Sequence, residues 1–273
     1  MGSERAVHVE KGIHVPSFSE AGPPEGYERL YFGDDFCERL IPTVPALEKI
    51  LEFTGSNNKK VTLLTPYCTG KGLEALRPVL EVLAGYGAGA EVVVNDLGVL
   101  NVLNRDFPQL PAVLGRLYTS MLLHPYFKCP PLFGPKNGIL KFFREKFRVA
   151  AGYFEFLRAN RITRVEFDNV FASPLFAHQF LAEGFKVSLY YPYTYLTTTR
   201  RCLFAGRNKV SNKLALLGCA RECLDYALRL RDNRSPEREI AVRGNAQFIH
   251  NDWRGFAARC GVWGVDRLVK FGV

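Results

Sequence analysis

Cys202, Cys219 and Cys223 are spaced C-x16-C-x3-C, and Cys37 closes an earlier segment, YFGDDFC. Thiolates are soft ligands, and four of them converging from separate segments would suit an iron–sulfur cluster or a tetrahedral zinc. The step from Cys219 to Cys223 is one helical turn, which would put both sulfurs on one face. The spacing is neither the compact ferredoxin run nor a paired C-x2-C zinc ribbon. Buried, inert thiols are therefore the alternative, since free cysteine packs as a small apolar residue. Cys68, Cys129 and Cys260 complete the total of seven. Cys260 reads as core filler, and Cys68 is the substitute for Cys37 as a ligand. An odd cysteine count, with no signal-peptide apolar stretch near Met1, argues against a disulfide framework and makes the cytoplasm the expected compartment.

Three carboxylates are candidates for acid–base work. Asp96 follows a buried run and precedes Leu97-Gly98, where it reads either as a helix N-cap or as a site carboxylate. Glu166 and Asp168 are two apart on one strand and so share a face. They read either as an acid–base pair or as ion-pair partners of Arg148, Arg161 or Arg164. Asn95 lies beside Asp96 at the same strand end. Tyr190, Tyr191, Tyr193 and Tyr195 stand next to a basic run, Arg200, Arg201, Arg207, Lys209 and Lys213, that contains no acid. Such a run is either a solvated face or an anion site, and neighbouring aromatics could stack on a base or a quinone-like ring. Asn95, Tyr191, Tyr193, Arg200 and Arg201 are the substrate-binding candidates, with an anionic small molecule or RNA as the expected partner. The five histidines are scattered, and neither a nucleophile–base pair nor an H-E-x-x-H zinc motif stands out.

The elements that must position these residues follow from hydrophobic periodicity. Continuous apolar runs at Val61–Pro66 and Glu91–Asp96 read as strands buried on both faces. Further strands are expected near Ala6–Val15 and at Tyr27–Gly33, Ala112–Leu117, Arg164–Asp168, Lys186–Tyr191 and Val265–Phe271. Helical spacing covers Val44–Phe53, Gly72–Gly85, Leu97–Arg105, Phe142–Asn160 and Pro174–Glu183, with Pro78 implying a kink or a late start. Strands alternating with helices imply parallel pairing, and about eight such units predict a (β/α)8 TIM-barrel-like fold. The barrel is incomplete, its first and last helices short or missing; an open doubly wound sheet is the alternative. The chain reads as one barrel-like domain, 1–273, with insertions near 121–145 and 197–243. In such a barrel the chemistry gathers at the C-terminal strand ends, where Asp34-Asp35-Phe36-Cys37, Tyr67-Cys68, Asn95-Asp96 and Asp168-Asn169 fall.

The net charge of +9 divides unevenly: residues 1–100 hold 9 Lys+Arg against 14 Asp+Glu, and the remainder 27 against 13. An anionic partner is thus expected to meet the later part. No uncharged apolar stretch reaches the roughly 18 residues of a membrane span.

Several segments resemble the collagenase-like peptidase family of unassigned catalytic type, family U32. YFGDDFCER is similar to the family segment with its first cysteine. VVVNDLGVLNVL is similar to its "NDLG" turn. Tyr190–Cys202 is similar to the region ending in Arg-Cys, Cys219-x3-Cys223 to the closing pair, and VDRLVKF to a late barrel strand. The resemblance runs from about Gly12 to Phe271. It implies a [4Fe–4S] cluster on Cys37, Cys202, Cys219 and Cys223, with zinc as the alternative occupant. Members include an anaerobic ubiquinone-hydroxylation pair and proteins that hydroxylate tRNA or ribosomal RNA, implied to use prephenate as the oxygen source.

The family's peptidase signature begins with Glu, has a Gly and carries an extra cysteine. Those positions here are Val187, Pro192 and Tyr195, which places the resemblance nearer the ubiquinone-hydroxylation branch and argues against peptidase activity. The expectation is an iron–sulfur protein for oxygen-independent hydroxylation or related redox modification. The second reading is a non-catalytic, cluster-bearing partner subunit. A paralogous partner chain or a homodimer is the expected assembly, since barrel strands without covering helices expose apolar area.

Overall fold

The computed structural model describes residues 8–18, 23–87, 89–121, 148–170, 173–200, 202–205, 219–232, 235–251 and 263–272. The first seven strands are β1 (Glu10–Val15), β2 (Arg29–Gly33), β3 (Lys60–Leu64), β4 (Ala90–Val94), β5 (Ala112–Leu114), β6 (Arg164–Asp168) and β7 (Lys186–Thr198). Each pairs in parallel with the next. β8 (Leu228–Asp232), β9 (Ser235–Arg243) and β10 (Ala246–His250) add an antiparallel extension to the far end of β7. β11 (Arg267–Phe271) then pairs in parallel with both β1 and β7 and closes the barrel that the sequence alternation predicts.

The described helices are α1 (Val44–Ser56), α2 (Gly70–Tyr86), α3 (Leu97–Asp106), α4 (Arg116–Met121), α5 (Ala151–Ala159) and α6 (Ser173–Ala182). Their apolar stripes meet the outward faces of the strands. In α1, Leu47, Ile50 and Leu51 are buried; in α2, Leu76, Val79, Leu80 and Leu83. Each such aliphatic side chain contributes roughly 1.5–3 kcal/mol relative to exposure. Strand alternation does the sorting: Leu30, Phe32, Val92, Val94, Val165, Phe167, Val187 and Leu189 join this outer core. Their neighbours Tyr31, Val93, Tyr190, Val269 and Phe271 pack in the lumen. Gly12 on β1 makes room there, because a β-carbon would lie 2.8 Å from the Tyr31 ring.

Several boundaries differ from the sequence reading. No helix separates β1 from β2 among the described residues, as expected. α2 starts at Gly70 and runs through Pro78, so there is no late start. β5 ends at Leu114, and Arg116 opens a helix instead of continuing the strand. Described helix begins at Ala151 in α5, after residues 148–150, which are not helical. β7 continues seven residues past Tyr191, and the second insertion holds β8 and β9, two of the three strands of the extension, where the sequence reading has no element. The insertion near 121–145 lies almost wholly outside the described residues. No described helix is long and apolar enough to cross a membrane.

Candidate functional site

The C-terminal ends of the barrel strands enclose a buried polar layer centred on Arg116. This residue is 0% exposed and follows β5 directly after Gly115. Its Nε donates to Asp35 Oδ2 at 3.0 Å, and its Nη1 to Asp168 Oδ1 at 3.1 Å. The guanidinium carbon lies 4.1 Å from the ring centres of both Tyr190 and Phe271, so aromatic faces solvate the cation that water cannot reach. Burial alone would favour neutral Arg116, but Asp35 and Asp168 outweigh it and raise its pKa. Asp35 is raised by burial against the opposing pull of Arg116.

Asn95 braces this layer. Its Nδ2 donates to Asp35 Oδ1 at 2.9 Å and to the Thr65 carbonyl at 3.0 Å, while its Oδ1 accepts from the Leu117 amide at 3.2 Å. Gly115 is required beside it: a β-carbon there would stand 2.1 Å from Asn95 Oδ1. Below, Glu166 Oε2 accepts from the Tyr190 hydroxyl at 2.8 Å, and its Oε1 is buried without a partner. Burial, reinforced by Asp35, pushes Glu166 up to about 8, toward its neutral form. His14 stacks on Phe271 at 4.6 Å. Its Nε2 lies 3.0 Å from the Gly33 carbonyl and therefore carries the proton, leaving buried Nδ1 without a partner. Burial, then Arg243, lowers the His14 pKa well below its ordinary value.

The sequence candidates divide on this frame. Glu166 and Asp168 do share the lumen face, but two of their three expected ion-pair partners, Arg161 and Arg164, are engaged elsewhere. Arg164 pairs with Asp266 at 2.6 Å at the opposite end of β6, and Arg161 donates to the carbonyls of Pro108 and Asn104. Asp168 pairs with Arg116, which the sequence reading placed inside a strand. Asp96 caps α3 outside the lumen, its Oδ1 accepting from the Gly98 and Val99 amides at 2.7 and 3.2 Å. Tyr193 meets His250 edge-on, and Tyr191 packs against the outer core. Arg201, Arg207, Lys209, Lys213, Cys129 and Cys260 lie outside the described residues.

Cys37, Cys202, Cys219 and Cys223 approach one another at the rim of this face. Cys37 follows β2, and its amide donates to Asp34 Oδ1 at 2.8 Å. Cys202 and Cys223 pack in one small cluster with Phe204 and Val242. The Arg221 amide donates to Cys219 Sγ at 3.3 Å. Burial pushes the Cys37 thiol up to about 11, with Asp34, Cys202 and Cys219 adding to it. Burial likewise pushes Cys223 up to about 12, with Asp34, Cys202 and Cys37 adding. Cys37 is thus within electrostatic reach of Cys202, Cys219 and Cys223, and Cys223 of Cys202. Cys219 and Cys223 do not share a helical turn: Arg221 between them is left-handed, φ 62°, and only Glu222–Leu224 form a short 3-10 turn. Cys68 stands apart, with Asp96 and Glu38 as its charged neighbours and its thiol pushed by burial up to about 12. Four sulfurs are the donor chemistry of an iron–sulfur cluster. Among the described residues, however, no group of three or more His, Cys, Asp or Glu side chains is arranged to hold a metal ion.

A cavity of about 340 Å³ opens beside Cys37, lined by Phe36, Arg39, Tyr67, Arg200 and Asn245. Phe36 stacks on Tyr195 at 5.1 Å, so its wall is continuous with the aromatic side chains of β7. The sequence reading identified Arg200 but missed Arg116, Asp35 as its partner, and His14. The one signal for Arg116 was its position, immediately after a Gly at the C-terminal end of a buried strand.

No protein-family model matches this chain, and no curated protein matches it. Among solved structures, it is similar to a U32 peptidase, at 14% identity and a TM-score of 0.47, covering 100% of this chain and 96% of that one. It is also similar to a GH18 chitinase from Cycas revoluta, at 10% identity and a TM-score of 0.25, covering 89% of this chain and 74% of that one.

Proposed function

We propose that this chain is a U32-like barrel protein that carries a [4Fe–4S] cluster on Cys37, Cys202, Cys219 and Cys223. Its role is in oxygen-independent hydroxylation or a related redox modification of an anionic or aromatic substrate. The observation that carries this reading is the approach of four thiols, from three separate chain segments, at the functional end of the barrel. Neighbouring thiolates repel one another in a partly buried setting, and a cationic iron–sulfur core relieves that repulsion. When bound, the cluster would supply one-electron chemistry.

The chain's own residues have distinct tasks in this reading. Arg39 and Arg200 attract an anionic substrate into the cavity beside Cys37, and Phe36 and Tyr67 offer it apolar surface. Arg116, Asp35, Asp168 and Asn95 are positioning residues, since they hold the strand ends and contact one another instead of the open cavity. That sealed layer favours the second reading, a cluster-bearing subunit whose partner supplies the catalytic groups.

Anaerobic purification followed by iron, sulfide and visible-absorption measurements tests the cluster. About four irons per chain with thiolate-to-iron charge-transfer bands are expected. Each single Cys→Ala change at the four positions should lower iron content, whereas Cys68→Ala should not. A colourless, iron-free protein, or full loading after all four are replaced, ends the reading. Zinc in place of iron retains the ligand set and removes the redox role.

A further inference from the structure

We propose that the outer edge of β8 pairs with the same edge of a second copy of this chain, antiparallel and two-fold symmetric about Leu228. β8 is the last strand of the extension, and among the described residues no strand pairs with its far side. Such an edge presents backbone amides and carbonyls as a template for another strand. The sequence reading placed a homodimer contact on barrel strands that lack covering helices. The large exposed apolar side chains lie elsewhere: among the described residues they are Leu97, Phe156, Leu203, Tyr226, Leu228 and Leu230, and none is on β1, β2 or β11.

Three of those six form one patch. Leu228 and Leu230 share a face of β8, and Tyr226 precedes them at the same two-residue spacing. They are 37%, 50% and 59% exposed in that order. Across the ladder, Leu228 stands opposite Val242 and Leu230 opposite Ile240. Val242 is buried in the small cluster with Phe204, against which Ile240 packs. The apolar layer therefore runs from that cluster to the edge and ends in water, where a second strand would continue it.

Charge selects both the partner and the register. The run is Asp225-Tyr226-Ala227-Leu228-Arg229-Leu230-Arg231. Paired with itself about Leu228, it sets Leu228 against the partner's Leu228, Tyr226 against the partner's Leu230 and Asp225 against the partner's Arg231. Two-fold symmetry makes the last two contacts twice. Arg229 and Arg231 share one acid on their own chain, Glu239, so a further carboxylate is accommodated. Centring the pair on Arg229 or Leu230 would set arginine against arginine, which is unfavourable. Centring it on Ala227 would run the pairing into the 3-10 turn of Glu222–Leu224.

The contact goes beyond the cluster reading and does not require iron. Sedimentation velocity of the full chain from ~1 to ~300 μM tests it, with iron measured on the same samples so that dimerisation and cluster loading are read separately. A monomer–dimer equilibrium is expected at every iron content, with a Kd of roughly 10–100 μM, as suits a small interface. Leu228→Lys sets like charges on the two-fold axis and should weaken it by ~10-fold or more. Asp225→Arg and Arg231→Asp should each weaken it by ~3–10-fold, and mixing these two variants should restore it to within ~3-fold of wild type, because each supplies the charge the other lacks. Misfolded variants could not rescue one another in this way. A monomer at ~300 μM, an unchanged Kd in Leu228→Lys, or no recovery on mixing would overturn the proposal.

Discussion

Where the barrel strands begin, Glu10, Arg29, Glu91 and Arg267 neutralise one another inside the lumen, with Lys60 at the edge. Burial would push Glu10 up, but Arg267, Arg29 and Lys60 hold it at about 2. Glu91 is likewise held below the usual carboxylate range. Where the strands end, burial prevails: Asp34, Asp35 and Glu166 are raised and His14 is lowered, each toward its neutral form. Unpartnered buried atoms on His14, Glu166 and Arg243 lie in this half or between the halves. One end spends its charges on stability, whereas the other keeps polar groups incompletely satisfied, which is the usual mark of a working site.

The comparison can be broken at its centre first. Arg116→Ala leaves Asp35 and Asp168 buried without their cation and should cost about 3–5 kcal/mol in urea unfolding. A loss below about 1 kcal/mol would show that the aromatic cage, not the ion pairs, organises this layer. At the opposite end, Glu10→Gln should cost about 2–3 kcal/mol, less because Glu91 still faces Arg29 and Arg267.

The two ends should also give stability slopes of opposite sign with pH. Glu10 has a folded pKa below its unfolded value, so its contribution is present above about 4.5 and is lost as pH falls toward about 2. Glu166 has a folded pKa above its unfolded value, so its contribution is present below about 4.5 and is lost as pH rises through about 8. Glu166→Gln keeps an acceptor for the Tyr190 hydroxyl and should flatten the alkaline limb. Its stability relative to wild type should improve by on the order of 1–3 kcal/mol between about pH 6 and about pH 9. Parallel curves would place Glu166 in water and contradict its burial. The smallest effect belongs to a carboxylate on the same face but outside the lumen. Asp96→Ala should cost about 1 kcal/mol and Asp96→Asn almost nothing, because asparagine also caps a helix. A loss of activity in a fully stable Asp96→Asn protein would instead give the carboxylate a chemical role.

The barrel was legible because its strands are buried on both faces. KVTLL and AEVVV have apolar residues in both registers, and the glycines and caps around them punctuate the helices. The extension was not. In β8 Leu228 and Leu230 alternate with Arg229 and Arg231 on an edge, a pattern too weak and too exposed to separate from a basic loop. The four cysteines could be selected by type and order, but their local geometry could not: nothing in the residue type of Arg221 announces a left-handed turn. Arg116, Asp35 and His14 become neighbours only when β11 closes the barrel, so spacing along the chain carries no trace of their contact.

β7 has one further consequence. The same thirteen-residue strand pairs with β6 and β11 in the barrel wall and with β10 in the extension. Side chains alternate along it, so a slip of one residue would turn Tyr190 out of the lumen and detach its hydroxyl from Glu166. The barrel therefore acts as a ruler for the extension: once Tyr190 is seated, the pairing frame of β10 is set, and Cys202, four residues past the end of β7, takes its starting point from the same strand.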